Sequence, residues 1–234
     1  MELNKEKADL LGYNKSRYYA LINLYEPQMT CEKLDSLFEL LKPFLKDVIQ
    51  SNKFQYCPKY PLNINKEQQT VFFDRVNQTL GINPKKSRLD KSSHPFCMGL
   101  HPFDIRYTIQ LNSTNFQNTL YALLYESGHA LYEQGLKAKD FGTPLGEYCS
   151  IGIHESQSIL WERFIGQSLS FCNYLKSEFK SSFPGKGYDL YETINHCKAT
   201  PIRVNSDELS YLLHIILRYE IEKELINGSI KVKD

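Results

Sequence analysis

The sequence lacks the features that most quickly assign a chain to a class. No apolar stretch approaches the roughly 18 residues that a membrane span needs. The start, "MELNKEKADLLGYNK", is charged from its second residue and has no apolar signal-peptide core. Net charge is nearly absent: 28 Lys and Arg against 27 Asp and Glu leave +1, with the signs interspersed and no basic arm. No global field therefore favours nucleic acid or an anionic membrane, and neither is expected as a partner. No C-x-x-C pair occurs. Cys31, Cys57, Cys97, Cys149, Cys172 and Cys197 lie tens of residues apart, which suits reduced thiols better than a disulfide scaffold or a Cys-ligated metal. Internal repeats and low-complexity segments are also missing. Together these absences make the cytoplasm the expected location.

What is present is an ordinary globular composition. The 234 residues are 41% hydrophobic and 24% charged, enough for one large domain or two small ones with a packed core. Helical periodicity dominates. Thr30 is placed to cap a helix whose apolar face runs Leu34, Leu37, Phe38, Leu41, Leu45, Val48. "NKEQ" offers Asn65 as a cap with Gln68 three residues on, and Gly81 closes that helix. "IRYTIQL", residues 105 to 111, alternates Ile105, Tyr107, Ile109 and Leu111 with polar residues and predicts one strand with a buried face. A helix with Leu120, Leu123, Leu124 and Leu131 as its core stripe follows. After a Gly/Pro-containing loop at 140 to 148, Ser150 caps a long helix through "HESQSILWERFIGQSLSF". A polar stretch around "FPGKGYD" comes next. Asn205 and Glu208 form a capping-box pattern for a last helix that ends near Gly228. The predicted class is mainly α with a short β element just before the most interesting helix.

That helix carries "LYALLYESGHALYEQG", residues 120 to 135. Zinc enzymes of the His-Glu-x-x-His type place two imidazoles one turn apart on one helix face, beside a glutamate that takes a proton from water. Here Glu126 and His129 stand where that pattern wants them, and Tyr125 stands where it wants the first histidine. A third ligand must come from elsewhere, and Glu155 in "IHESQS", on the following helix, is the natural donor. Ser127, Gly128 and Ala130 would let the two backbones approach, since a glycine inside a helix costs roughly 1 kcal/mol relative to alanine. The plainer reading is a solvated Glu and His pair beside an aromatic stripe of Tyr121, Tyr125 and Tyr132. Taken alone, the stretch decides nothing.

Five blocks in order, this stretch among them, do. "RLDKSSHPF" (88 to 96), "DIRYT" (104 to 108), "YESGHALYEQGL" (125 to 136), "GTPLGEYCSIGIHESQSILWE" (142 to 162) and "IRVNSDELSYLLHIILRYEIEKEL" (202 to 225) resemble the carboxypeptidase Taq family. "YYALINLYEP" (18 to 27) is similar to the segment leading into that family's catalytic half. The resemblance runs over nearly all of the chain. It implies a helical, zincin-like metallopeptidase core that removes C-terminal residues from peptides by means of a zinc-activated water. His129 and Glu155 would be zinc ligands, Glu126 the general base, and Tyr125 a replacement for the family's first histidine ligand. The motifs beside the metal would be represented by His94, Pro95 and Phe96, by Asp104, Arg106 and Thr108, and by Ile202, Arg203 and Asp207, with Ser206 for the usual alanine. Arg203 is the expected clamp for the substrate's terminal carboxylate, with Arg106 second, because a guanidinium binds a carboxylate bidentately. The alternative for each is a structural ion pair, Arg106 with Asp104 or Arg203 with Asp207.

The chain also departs from the family by length. A helical region is expected before "YYALINLYEP", and a later G-x-x-Q-D-x-H-W block that lines the substrate groove is not found. The expectation is a single partial domain over 1–234, truncated at both ends relative to the family, with zinc bound weakly or not at all. Three functional readings follow. The first is an active carboxypeptidase that tolerates Tyr125. The second is a degenerate fragment without a competent metal site. The third is a non-catalytic peptide-binding or assembly piece. Expected partners are peptide C-termini if the site works, and otherwise the missing family segments or further copies of the chain.

Overall fold

The computed structural model describes residues 1–51, 64–114, 116–184, 189–195, 201–203 and 206–233. In chain order the elements are α1 (Glu2–Leu11), α2 (Arg17–Ile22), α3 (Cys31–Ser51), α4 (Lys66–Leu80), β1 (Ser87–Lys91), β2 (Phe96–His101), β3 (Asp104–Ile109), α5 (Phe116–Gly135), α6 (Ile151–Ile159), α7 (Leu169–Ser182), α8 (Leu190–Ile194) and α9 (Glu208–Asn227). The architecture is mainly helical with a small sheet, as the periodicity predicts. It divides into two compact units: Met1–Tyr56 with His196–Asp234, and Cys57–Asn195.

In the first unit α3 and α9 pack together. Thr30 caps the entry to α3 by accepting from Lys33 N at 3.2 Å, as its sequence position predicts. The rings of Phe38 and Tyr219 meet edge-on at 5.0 Å, and the Tyr219 hydroxyl donates to Asp35 at 2.9 Å. Lys42 pairs with Glu220 at 2.6 Å. Leu45 is the buried centre of the predicted apolar face. Leu37, which the spacing places on that face, is nonetheless 48% exposed, and Leu40 and Phe44, off the face, are 72% and 62% exposed. Asp207, rather than Asn205, caps α9 by accepting from Ser210 N at 2.8 Å. Asn205 itself lies outside the described residues, as does most of the "FPGKGYD" stretch, Cys57 and Cys197. Gly228 ends α9 in the left-handed conformation, at φ +84°.

The second unit is built around α5. Asn65 caps α4 by accepting from Gln68 N at 2.8 Å. The sheet order is β1-β3-β2, with β3 parallel to β1 and antiparallel to β2. The predicted strand is thus the central one of three, and Ile105, Tyr107 and Ile109 are its buried face. The flanking strands escape a periodicity reading for different reasons: β1 has no apolar alternation, and β2 turns its alternate apolar residues Phe96, Met98 and Leu100 outward rather than into the core. Behind α5, Phe72, Phe73, Phe116, Phe179 and Phe183 are fully buried, and Phe73 stacks on Phe116 at 5.5 Å. Each such side chain contributes roughly 1.5–3 kcal/mol by leaving water. The long helix predicted after Ser150 is interrupted. It passes into a π-helical turn at Leu160–Ile165, then breaks so that Ser168 caps α7 by accepting from Phe171 N at 3.2 Å. Ser168 competes with the helix for that backbone donor, which is the tendency of serine that makes it a cap.

Candidate functional site at the junction of α5 and α6

Helix α5 has two working faces. Leu120, Leu123, Leu124 and Ser127 are buried in the core, where Ser127 Oγ donates to Asn77 Oδ1 at 3.0 Å. Tyr125 and His129, one turn apart, meet side chains of α6. Ser150 starts α6 by accepting from Ile153 N at 3.1 Å, which sets Glu155 in its second turn. A missing side chain allows the close approach. A Cβ on Gly128 would lie 2.6 Å from both the Gln157 carbonyl oxygen and Ser158 Cα, so no other residue fits there without parting the helices. Of the small residues noted in the sequence, Gly128 has this steric cause, whereas Ser127 faces Asn77 of α4.

Three side chains converge at the crossing. The Tyr125 hydroxyl donates a hydrogen bond to Glu155 Oε1. The other carboxylate oxygen, Oε2, stands 3.6 Å from His129 Nε2. The rings of Tyr125 and His129 are perpendicular, with centroids 5.0 Å apart. Glu126 lies on the buried side, only 4% exposed. Its carboxyl is pushed up to about 8, chiefly by burial and further by the negative charges of Glu155 and Glu162. His129, 9% exposed, is pushed down by burial and by His154, against the pull of Glu155. Its Nδ1 is buried and has no hydrogen-bond partner.

A second pair, not anticipated from the sequence, backs the first. His154 stacks on His129 with centroids 4.5 Å apart, and its Nε2 lies 2.7 Å from Glu133 Oε1. Tyr132 and Tyr148 close on His154 edge-first, at 5.3 and 5.2 Å. A Cβ on Gly99 of β2 would fall 2.2 Å from Glu133 Oε2, so the glycine makes room for this carboxylate. Glu133 follows His129 by one helical turn and His154 precedes Glu155, but neither spacing encodes the helix crossing that brings the two together.

The remaining predicted site residues make local contacts. Asp104 and Arg106 form a bidentate pair with both N to O distances at 3.0 Å, the structural alternative anticipated for Arg106. His94 sits in the turn between β1 and β2 with Nδ1 2.7 Å from the Pro95 carbonyl oxygen. Arg203, in the first unit, donates to the Tyr211 hydroxyl at 3.0 Å and lies over its ring. Asp207 is the α9 cap described above.

A sequence profile of the carboxypeptidase Taq (M32) metallopeptidase family matches residues 1–234. The chain belongs to this family. It is 35% identical to carboxypeptidase 1 of Bacillus subtilis over 243 residues, covering 100% of this chain and 48% of that protein. It is 34% identical to thermostable carboxypeptidase 1 of Thermus thermophilus, covering 99% of this chain and 49% of that protein. The crystal structure of the M32 carboxypeptidase from Deinococcus radiodurans superposes with a TM-score of 0.89 at 32% identity, over 100% of this chain and 48% of that one. The chain therefore spans about half the length of the carboxypeptidases it matches.

Membership of a metallopeptidase family implies a metal, and the donor set at the crossing decides whether one fits. An open zinc site uses three protein ligands from His, Glu, Asp or Cys and leaves a fourth position for water. Among the described residues no group of three or more His, Cys, Asp or Glu side chains is placed to hold an ion. His129 and Glu155 converge, but the third group is a phenol whose hydroxyl already donates to Glu155. A phenol ligates zinc only after losing that proton, and its ordinary pKa is near 10. Among the described residues, the donors at the crossing do not make up an open three-ligand site. Among the described residues no helix is long and apolar enough to cross a membrane.

Proposed function

We propose that this chain is a carboxypeptidase Taq family piece of weak or absent peptidase activity. On this reading His129 and Glu155 are the two surviving positions of a zinc site, Tyr125 is the lost one, and Glu126 stands at the position of the general base. The observation that carries the reading is the hydrogen bond from Tyr125 to Glu155, which satisfies the carboxylate oxygen with a proton. Any substrate would be a peptide read at its C-terminal carboxylate. Arg203, and second Arg106, are carried over from the family's blocks as candidates for that contact; Arg203 donates to Tyr211, and Arg106 is held by Asp104 in a bidentate pair. Residues 1–234 are read as a single partial domain of the family, acting in the cytoplasm.

A test of this reading compares the native chain with Tyr125→His. Restoring an imidazole should tighten zinc binding by about tenfold or more, and it should leave peptide hydrolysis far below that of a full-length family enzyme, since substrate positioning supplies much of the rate. Rapid release of C-terminal residues by the native chain would sink the proposal. A second reading, a non-catalytic assembly piece, is favoured by the exposed apolar stripe of Leu37, Leu40 and Phe44. We infer that this stripe meets family segments the chain does not span, or another copy of itself.

A further inference from the structure

A metal ion in such a site is also a cross-link, because its ligands come from two helices. Here the same two helices are tied without one. Tyr125 on α5 donates to Glu155 on α6, and that carboxylate's second oxygen faces His129 on α5 at 3.6 Å. Two residues on from Glu155, the backbone runs against Gly128, so the tie sits where the helices are closest. The stacked neighbour supplies a second tie of the same kind, His154 on α6 to Glu133 on α5 at 2.7 Å.

We propose that Tyr125 replaces the ion as the structural link between α5 and α6, making this junction a proton-bridged latch that holds without metal. The inference rests on the reading of Tyr125 as a lost ligand position, and it goes further: the tyrosine is a structural substitute with a bond of its own. A hydrogen bond from a neutral donor to a carboxylate is among the stronger ones, and losing the donor gives up that bond and leaves Glu155, whose side chain is 43% exposed, to water. Tyrosine suits the task because its oxygen reaches beyond an imidazole nitrogen, into the space an ion would share with the ligands.

The test is thermal unfolding of three proteins, native, Tyr125→Phe and Tyr125→His, each with excess chelator and with excess zinc. Phenylalanine keeps the ring and removes the hydroxyl alone. The native chain should melt within about 1 °C of the same temperature in both conditions, and Tyr125→Phe should melt roughly 3 °C or more lower in both. Tyr125→His should be destabilised in chelator and recover by roughly 5 °C or more in zinc at about a hundred times its dissociation constant. A native chain that zinc stabilises as much as Tyr125→His, or a Tyr125→Phe protein as stable as native, overturns the latch. If Tyr125→His gains nothing from zinc while Tyr125→Phe loses stability as expected, the latch stands and the surviving-ligand reading fails, so the two are separable.

Discussion

The surroundings of α5 and the outer faces of α3 and α9 handle apolar surface in opposite ways. Around α5 the phenylalanines of α4 and α7 and the inner residues of β3 are sealed from water, and the polar cluster at α6 is set on that closed base. On α3 and α9, the interface is narrow and carried by Tyr219, Phe38 and charged side chains, while Leu37, Leu40, Phe44, Leu217 and Ile221 remain open. The contrast teaches that the second unit has a closed aromatic core beneath the candidate site, although β2 and the start of α6 still leave Phe96, Met98, Leu100 and Ile153 exposed. The first unit's helices carry more apolar surface than they cover within the unit. A family fold of which the chain spans about half is a sufficient reason for such a difference.

The sharpest way to break the comparison is to remove a ring from the closed region. Phe116→Ala should cost about 3–5 kcal/mol in chemical denaturation, because a fully buried ring leaves a cavity that its aromatic neighbours fill only in part. Leu40→Ala on the open face should change stability by no more than about 0.5 kcal/mol. Similar losses at the two positions would mean that the open face is covered in solution. Gly128→Ala comes next. Its added carbon meets backbone, which cannot rotate aside, so a loss of about 1–3 kcal/mol is expected. That variant should also weaken the Tyr125 to Glu155 contact, read as a change in tyrosine fluorescence or near-ultraviolet dichroism.

Glu126 gives the comparison a pH axis. Its folded carboxyl lies at about 8, above its ordinary 4.5, so the folded protein keeps a proton that the unfolded chain releases between those values. Its contribution to stability is therefore full below about pH 4.5, declines as pH rises, and levels off above about 8. Denaturation in chelator across that window should show the decline, and Glu126→Gln should flatten it. An unchanged slope in the glutamine variant would place the titrating group elsewhere. The smallest effect expected on folding is Phe44→Gln. It should leave stability nearly unchanged yet reduce concentration-dependent self-association in sedimentation, since a contiguous apolar patch is what drives it. A native chain that stays monomeric at high concentration would remove the case for an unmet partner face.

Some of this was readable from the residues and some was not, for physical reasons. The caps at Thr30, Asn65 and Ser150 are local bonds between a side chain and a backbone N–H three residues on, so short sequence windows contain them. The central strand was visible because both its faces obey one alternation. Strands β1 and β2 were not, since each is a strand only by pairing with β3. The convergence of His129 with Glu155 followed from the family pattern and from Gly128, which lets the helices touch. The stacking of His154 on His129 and its bond to Glu133 depend on how two helices cross, which spacing along either one does not encode. Arg106 illustrates a choice the sequence left open: an arginine two residues from an aspartate on one strand face was equally a clamp or a pair, and the structure has the pair.

The central claim is that Tyr125 occupies a metal-ligand position and closes it. Zinc affinity measured by competition with a chromogenic chelator, for the native chain beside Tyr125→His, tests that directly. Two remaining ligands and a protonated phenol should leave the native chain a poor zinc binder, and the histidine should improve affinity by at least about tenfold, or about 1.4 kcal/mol. Equal affinity in the two proteins would contradict the account, because it would mean that Tyr125 does not stand where the ion belongs.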